Sequence, residues 1–133
     1  MLSGMGRRGA SAAEFAVVAP ALVLLTFGTY DLADSIQISL RLERAVRAGA
    51  QYALANPTDE TAIKSQVLAA WPELAAAEVS IACVCGDSLM VSCAAACDSG
   101  SARTIAVSAK RSTTPLLLRY VSGGAGHAVV RLR

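Results

Sequence analysis

Aromatic side chains are scarce in this chain: 5 % of its 133 residues, with one tryptophan and two phenylalanines. Apolar residues nevertheless make up 54 %. The surplus is alanine, valine and leucine, the side chains of helices packed closely in or near a membrane. Excess charge is also lacking. A formal net charge of +2 is too small for a nucleic-acid surface. Removing Arg7 and Arg8 would leave 10 basic against 10 acidic side chains. There is one histidine, His127, with no nucleophile or carboxylate patterned beside it. The glycine-rich stretch Gly123-Gly124-Ala125-Gly126 lacks the following Lys-Ser/Thr of a phosphate loop, so it reads as a flexible turn. These absences argue against an enzyme and call for no cofactor.

Cysteine is missing everywhere except Cys83, Cys85, Cys93 and Cys97. Such a cluster is either a disulfide staple in an oxidising compartment or a metal site in a reducing one. The N-terminus separates the two readings. Phe15 to Tyr30 (FAVVAPALVLLTFGTY) carries no charge. Counted from Ala10, the run gives about 30 Å of helix, enough to cross a bilayer core. Pro20 and Gly28 would weaken a soluble helix but are tolerated in a membrane.

Arg7 and Arg8 precede the span, and Asp31 and Asp34 follow it. The positive-inside rule then keeps residues 1–9 cytoplasmic and exports the remainder. Export favours disulfides over zinc, and C-x-C with C-x3-C fits neither common zinc-finger spacing. A cleaved signal peptide is the competing reading. It is disfavoured because the run is long and continues into an amphipathic helix without an A-x-A-like exit.

From Asp31 to Ala55 the apolar residues recur at helical spacing. Leu32, Ile36 and Leu40 form one row, with Ile38, Leu42, Val46 and Ala50 beside it. Arg41, Glu43, Arg44 and Arg47 suit an exposed face, and Glu43 to Arg47 has the favourable i, i+4 order. One continuous rod from the span to about Ala55 is therefore expected. Asn56-Pro57 ends it, with Asn56 expected to cap a second helix at about Pro57 to Ala70 and Asp59 in its first turn. Ile63, Val67 and Trp71 would pack that helix on the rod.

Ala77 to Cys85 and Leu89 to Cys93 flank Gly86-Asp87-Ser88, a hairpin signal. Arg103 to Arg111 reads as a third strand and His127 to Arg133 as a fourth, with an apolar knot, Leu116 to Leu118, in the loop between them. So small a sheet needs staples. A hairpin with its tip at Gly86-Ser88 suggests nested disulfides, Cys85 with Cys93 and Cys83 with Cys97. The fold class is thus α+β: a long N-terminal helix, transmembrane then amphipathic, a second short helix, and a small disulfide-stapled antiparallel sheet. The expected divisions are a leader at 1–9, a transmembrane helix at 10–30, its amphipathic continuation at 31–55, and an exported α+β domain at 56–133.

Glu14 stands where a carboxylate looks out of place, at the head of the apolar run. Burying it unpaired in hydrocarbon costs at least ~2.5 kcal/mol. The stretch Gly9-Ala10-Ser11-Ala12-Ala13-Glu14-Phe15 has the spacing of a prepilin peptidase site. Cleavage after Gly9 would make Ala10 the new N-terminus, with Glu14 fifth and Phe15 sixth. The liberated amine would lie one helical turn from Glu14, which could neutralise it or that of a neighbouring subunit. A desolvated charge left without its partner is heavily penalised, so the pairing can enforce register. Small residues at Ala10 to Ala13 let helices approach closely.

Several features together resemble the TadE-like family of pilin-like proteins from tight-adherence (Flp-type) pilus systems. They are R-G-x4-E-F, Pro20 in the apolar run, the acidic Asp31 after Gly28, and A-x-R-A-G-A-x-Y-A at Ala45 to Ala53. Asp31 stands where a glutamate is more usual. The resemblance implies a minor pilin or pseudopilin that primes, caps or joins the pilus. It implies roles for Gly9 and Ala10 in processing and for Glu14 and Phe15 in assembly. The implied partners are major and minor pilins, the prepilin peptidase, the inner-membrane assembly platform and the bilayer. The implied location is the bacterial inner membrane, with a periplasmic C-terminal domain. The rival reading is a single-span anchored periplasmic binding or scaffold module that is never processed.

Overall fold

The computed structural model describes residues 8–86, 89–97, 101–118 and 123–132, and only the backbone at 8–11, 89 and 90. Helix α1 runs unbroken over Arg8–Ala55, with Pro20 inside it. Two hydroxyls of its apolar run bond back to the helix's own carbonyls. Thr26 bonds back to the Leu22 carbonyl, and Thr29 Oγ1 donates to the Leu25 and Thr26 carbonyls at 2.9 Å each. The rod ends where Asn56 N–H closes on the Tyr52 carbonyl at 3.0 Å.

Helix α2 is Glu60–Ala70, three residues later than expected at its start. Its cap is Asp59, whose carboxylate accepts from Ala62 N–H at 2.8 Å, and not Asn56. Asn56 is already committed to ending α1, so the residues between serve as a turn.

Strands β1 (Val79–Cys85), β2 (Leu89–Val91), β3 (Arg103–Arg111) and β4 (Gly124–Leu132) form one antiparallel sheet in the order β2-β1-β3-β4. The second half of α1 lies across this sheet and α2 packs on α1. Leu42, Val46 and Ala53 of α1 meet Ile63 and Val67 of α2, and Ile105 and Val107 of β3, all fully buried. Trp71 and Leu74 close the end of that core, as the spacing of Trp71 with Ile63 and Val67 predicts. Arg111 stacks over the Trp71 ring at 5.1 Å and donates to the Glu73 carbonyl at 2.7 Å.

Two expectations change at β4. The strand starts at Gly124 rather than His127, so Gly124-Ala125-Gly126 is sheet and not a flexible turn. The reason is proximity to the rod. A Cβ on Gly126 would stand 2.7 Å from the carbonyl carbon of Leu42 and 2.9 Å from the nitrogen of Glu43. Only a residue without a side chain lets α1 lie this close to the strand. His127 lies on the exposed side of β4, opposite Ser108.

Candidate functional site

The features that could act lie along α1, from its N-terminal end to the junction with the sheet. Gly9 and Ala10 belong to its helical backbone. Glu14 follows Ala10 by four residues, one turn or ~6 Å along the axis. Glu14 and Phe15 are both exposed. From there to Tyr30 every large apolar side chain faces outward, including Val17, Leu22, Leu25 and Phe27. Among the described residues this is the one helix long and apolar enough to cross a membrane. An N-terminal helix of this kind fits a single-pass membrane anchor.

Past the span, α1 divides into two faces. Ile38, Leu42, Val46 and Ala50 are buried against the sheet and α2. The neighbouring row, Leu32, Ile36 and Leu40, remains about half exposed. Both rows satisfy the helical period, and only the tertiary partner decides which is covered. Arg47 reaches Glu43 at 3.3 Å on the outer face. Both side chains are well exposed, so this pair adds little to stability.

Asp31, whose role the sequence leaves open, is the junction. The residue is 5 % exposed, and its carboxylate accepts three backbone hydrogen bonds. Oδ1 accepts from Leu116 N–H at 3.0 Å, and Oδ2 from Leu117 and Leu118 N–H at 2.8 and 3.0 Å. The N–H groups of Leu118, Leu116 and Leu117 hold the Asp31 carboxyl below its ordinary value of 3.8, against the opposing effect of burial. Ser35 Oγ adds a bond to the Gly123 carbonyl at 2.9 Å. The loop between β3 and β4 is thereby tied to the rod at the first turn beyond the span.

The four cysteines form two disulfides, but not the nested pair expected. Cys83 joins Cys93 and Cys85 joins Cys97, with Cα separations of 5.2 and 5.5 Å. The hairpin register explains the difference. Cys85 pairs with Leu89 and Cys83 with Val91, so Cys93 falls just past Cys83, out of reach of Cys85. A turn closed by Ala95 N–H to the Ser92 carbonyl, at 2.9 Å, then carries the chain back to place Cys97 beside Cys85. Arg103 holds this turn through the Ala95 carbonyl. With each of the four sulfurs in one of two disulfides, none is a thiolate that could ligate zinc. Among the described residues no group of three His, Cys, Asp or Glu is placed to hold a metal.

Glu14 and Asp31 lie seventeen residues apart on one helix, ~25 Å along its axis, so they are separate sites. The disulfides belong to the head and touch neither. Sequence reasoning missed the three-fold grip of Asp31 and the close packing at Gly126. The acid after the span and the glycines before His127 were visible signals, but their partners are distant in sequence.

A family model for TadE-like proteins matches residues 9–51, the stretch from which the same resemblance was read. The match begins at Gly9 and ends inside α1, so α2 and the sheet lie outside it. No curated protein and no solved structure matches the chain.

Proposed function

We propose, from the TadE-like segment at its head, that this chain is a minor pilin or pseudopilin of a tight-adherence pilus, cut after Gly9 and inserted through residues 10–30. The observation that carries the reading is the family match over residues 9–51, which spans Gly9, Ala10, Glu14, Phe15 and the apolar run. That match supports a pilus-associated role of the minor-pilin kind and contact with other pilus subunits. TadE-like proteins are structural components of pili rather than a known enzyme family. Within this reading the prepilin peptidase and the inner-membrane platform are further partners, and the head at 56–133 is periplasmic. Priming, capping or joining the fibre are the roles it would take.

Glu14 has two uses here. Before assembly it sits at the membrane edge, where its carboxylate can reach water. In assembly it meets the amine of Ala10, its own or a neighbour's. An unanswered charge in a dry helix contact is the costly state, so subunits in the wrong register are rejected.

The mature N-terminus tests the proposal directly. Intact mass of the membrane-extracted protein should place it at Ala10, whereas an N-terminus at Met1 would favour the unprocessed anchor. In Glu14→Ala and Glu14→Gln variants the head should keep its stability to within about 0.5 kcal/mol, since Glu14 lies outside its core. The same variants should lose piliation, scored in the sheared pilus fraction. Normal piliation in both would remove the charge-pairing role.

A further inference from the structure

Three consecutive leucines stand exposed on the loop that Asp31 holds: Leu116 at 62 %, Leu117 at 44 % and Leu118 at 39 %. Isolated apolar residues on a surface are ordinary, but a contiguous group is not. These leucines do not stand alone. Leu116 lines an apolar groove of about 270 Å³ together with Thr26, Phe27 and Tyr30. Thr26 precedes Asp31 by five residues, ~7 Å back along the axis toward the middle of the apolar run. The loop therefore descends beside the last turn of that run. Its leucines continue the outward apolar surface formed by Val23, Phe27 and Tyr30.

We infer that Leu116–Leu118 is a second membrane contact, dipping into the phospholipid leaflet on the side of the bilayer where Asp31 emerges. The inference rests on the proposed membrane anchor. If residues 10–30 span the bilayer, a segment level with Thr26 to Tyr30 meets lipid. Continuity with the span is what selects lipid over a protein partner.

The hydrogen bonding suits that depth. Irregular backbone near hydrocarbon is tolerated only where its polar groups are satisfied within the protein. Three successive N–H groups of this loop are taken by one carboxylate, at the point where water becomes scarce. Asp31 thus clamps the loop to the rod and lets its leucines enter the interface without unpaired donors. Two contacts, a rod and a loop beside it, would fix the rotation of the head about the rod relative to the membrane plane.

The test uses the full chain in phosphatidylcholine vesicles whose acyl chains carry bromine at a shallow or a deep position. Native Trp71 is kept as an internal reference. It sits with Arg41 and Arg44, ~15–20 Å beyond Asp31 along the rod, out of reach of lipid bromine. Leu117→Trp replaces an exposed side chain and Val23→Trp reports on the span. Leu117→Trp should emit to the blue of its value in water. It should lose roughly half its added emission to shallow bromines, as expected for a side chain ~5–10 Å into the boundary layer. Val23→Trp should be quenched by the deep ones.

Quenching of Val23→Trp without any of Leu117→Trp would overturn the inference and leave the anchor standing. Absence of quenching at Val23→Trp would overturn the anchor, and the inference with it. Shielding of Leu117→Trp that appears only as protein is crowded in the vesicles would identify a second copy as the occupant, and the lipid contact would be rejected.

Discussion

Asp31 is buried yet not orphaned, because its oxygens accept three backbone bonds from the loop that they organise. That arrangement has a definite pH dependence. The folded carboxyl lies below its ordinary 3.8 because of those bonds. Its stabilising contribution is therefore complete above the unfolded value and disappears as pH falls through the folded one. The stability gap between the wild type and Asp31→Asn, from urea unfolding in detergent, should be constant above about pH 5 and shrink below it. A gap that widens with acid would contradict the assigned bonds. Gly126 makes the second residue-scale prediction. A methyl there meets backbone atoms of Leu42 and Glu43 at 2.7–2.9 Å, which no side-chain rotation relieves. Gly126→Ala should cost about 1–3 kcal/mol as α1 is lifted from β4. Gly28→Ala is the control: nothing lies within 4 Å of the added atom, so it should cost nothing in packing.

At the scale of elements, the hairpin β1–β2 depends on its two crosslinks in different ways. They close loops with sequence separations of 10 and 12, each worth ~2.5–3 kcal/mol on the chain-entropy estimate. Cys83 and Cys93 are also core residues, whereas Cys85 and Cys97 are only partly covered. Replacing Cys83 and Cys93 together by alanine should thus destabilise more than replacing Cys85 and Cys97, by about 1 kcal/mol for the lost packing. Trp71 fluorescence during urea unfolding reads both pairs. The elements themselves were largely legible in sequence: α1 through its period and the Asn-Pro stop, β3 through alternation with its bounds intact, and the hairpin through the Gly-Asp-Ser signal between its strands, of which Asp87 and Ser88 lie outside the described residues. What local patterns could not convey was non-local. The disulfide pairing follows a register set by loop length. The extension of β4 back to Gly124 follows from the rod above it, and the choice of buried row on α1 follows from where the sheet lies. The candidate site is legible as a pattern at its N-terminal end, where Gly9, Glu14 and Phe15 stand in a short spaced motif inside the stretch that the family model matches. It was illegible at Asp31, whose partners lie more than eighty residues downstream.

On the scale of the whole molecule, one helix is both the apolar segment that fits a membrane anchor and a wall of the folded core. A separate flexible linker would let head and anchor reorient independently. Here there is no such joint, since α1 runs without a break from Arg8 to Ala55 and is tied to the β3–β4 loop by Asp31 and Ser35. The molecule behaves as a mast with its sail laced to it. If residues 10–30 span a bilayer as proposed, a twist of that segment passes to the sheet along a continuous helix, so the azimuth at which such helices meet would dictate which side of each head faces its neighbour.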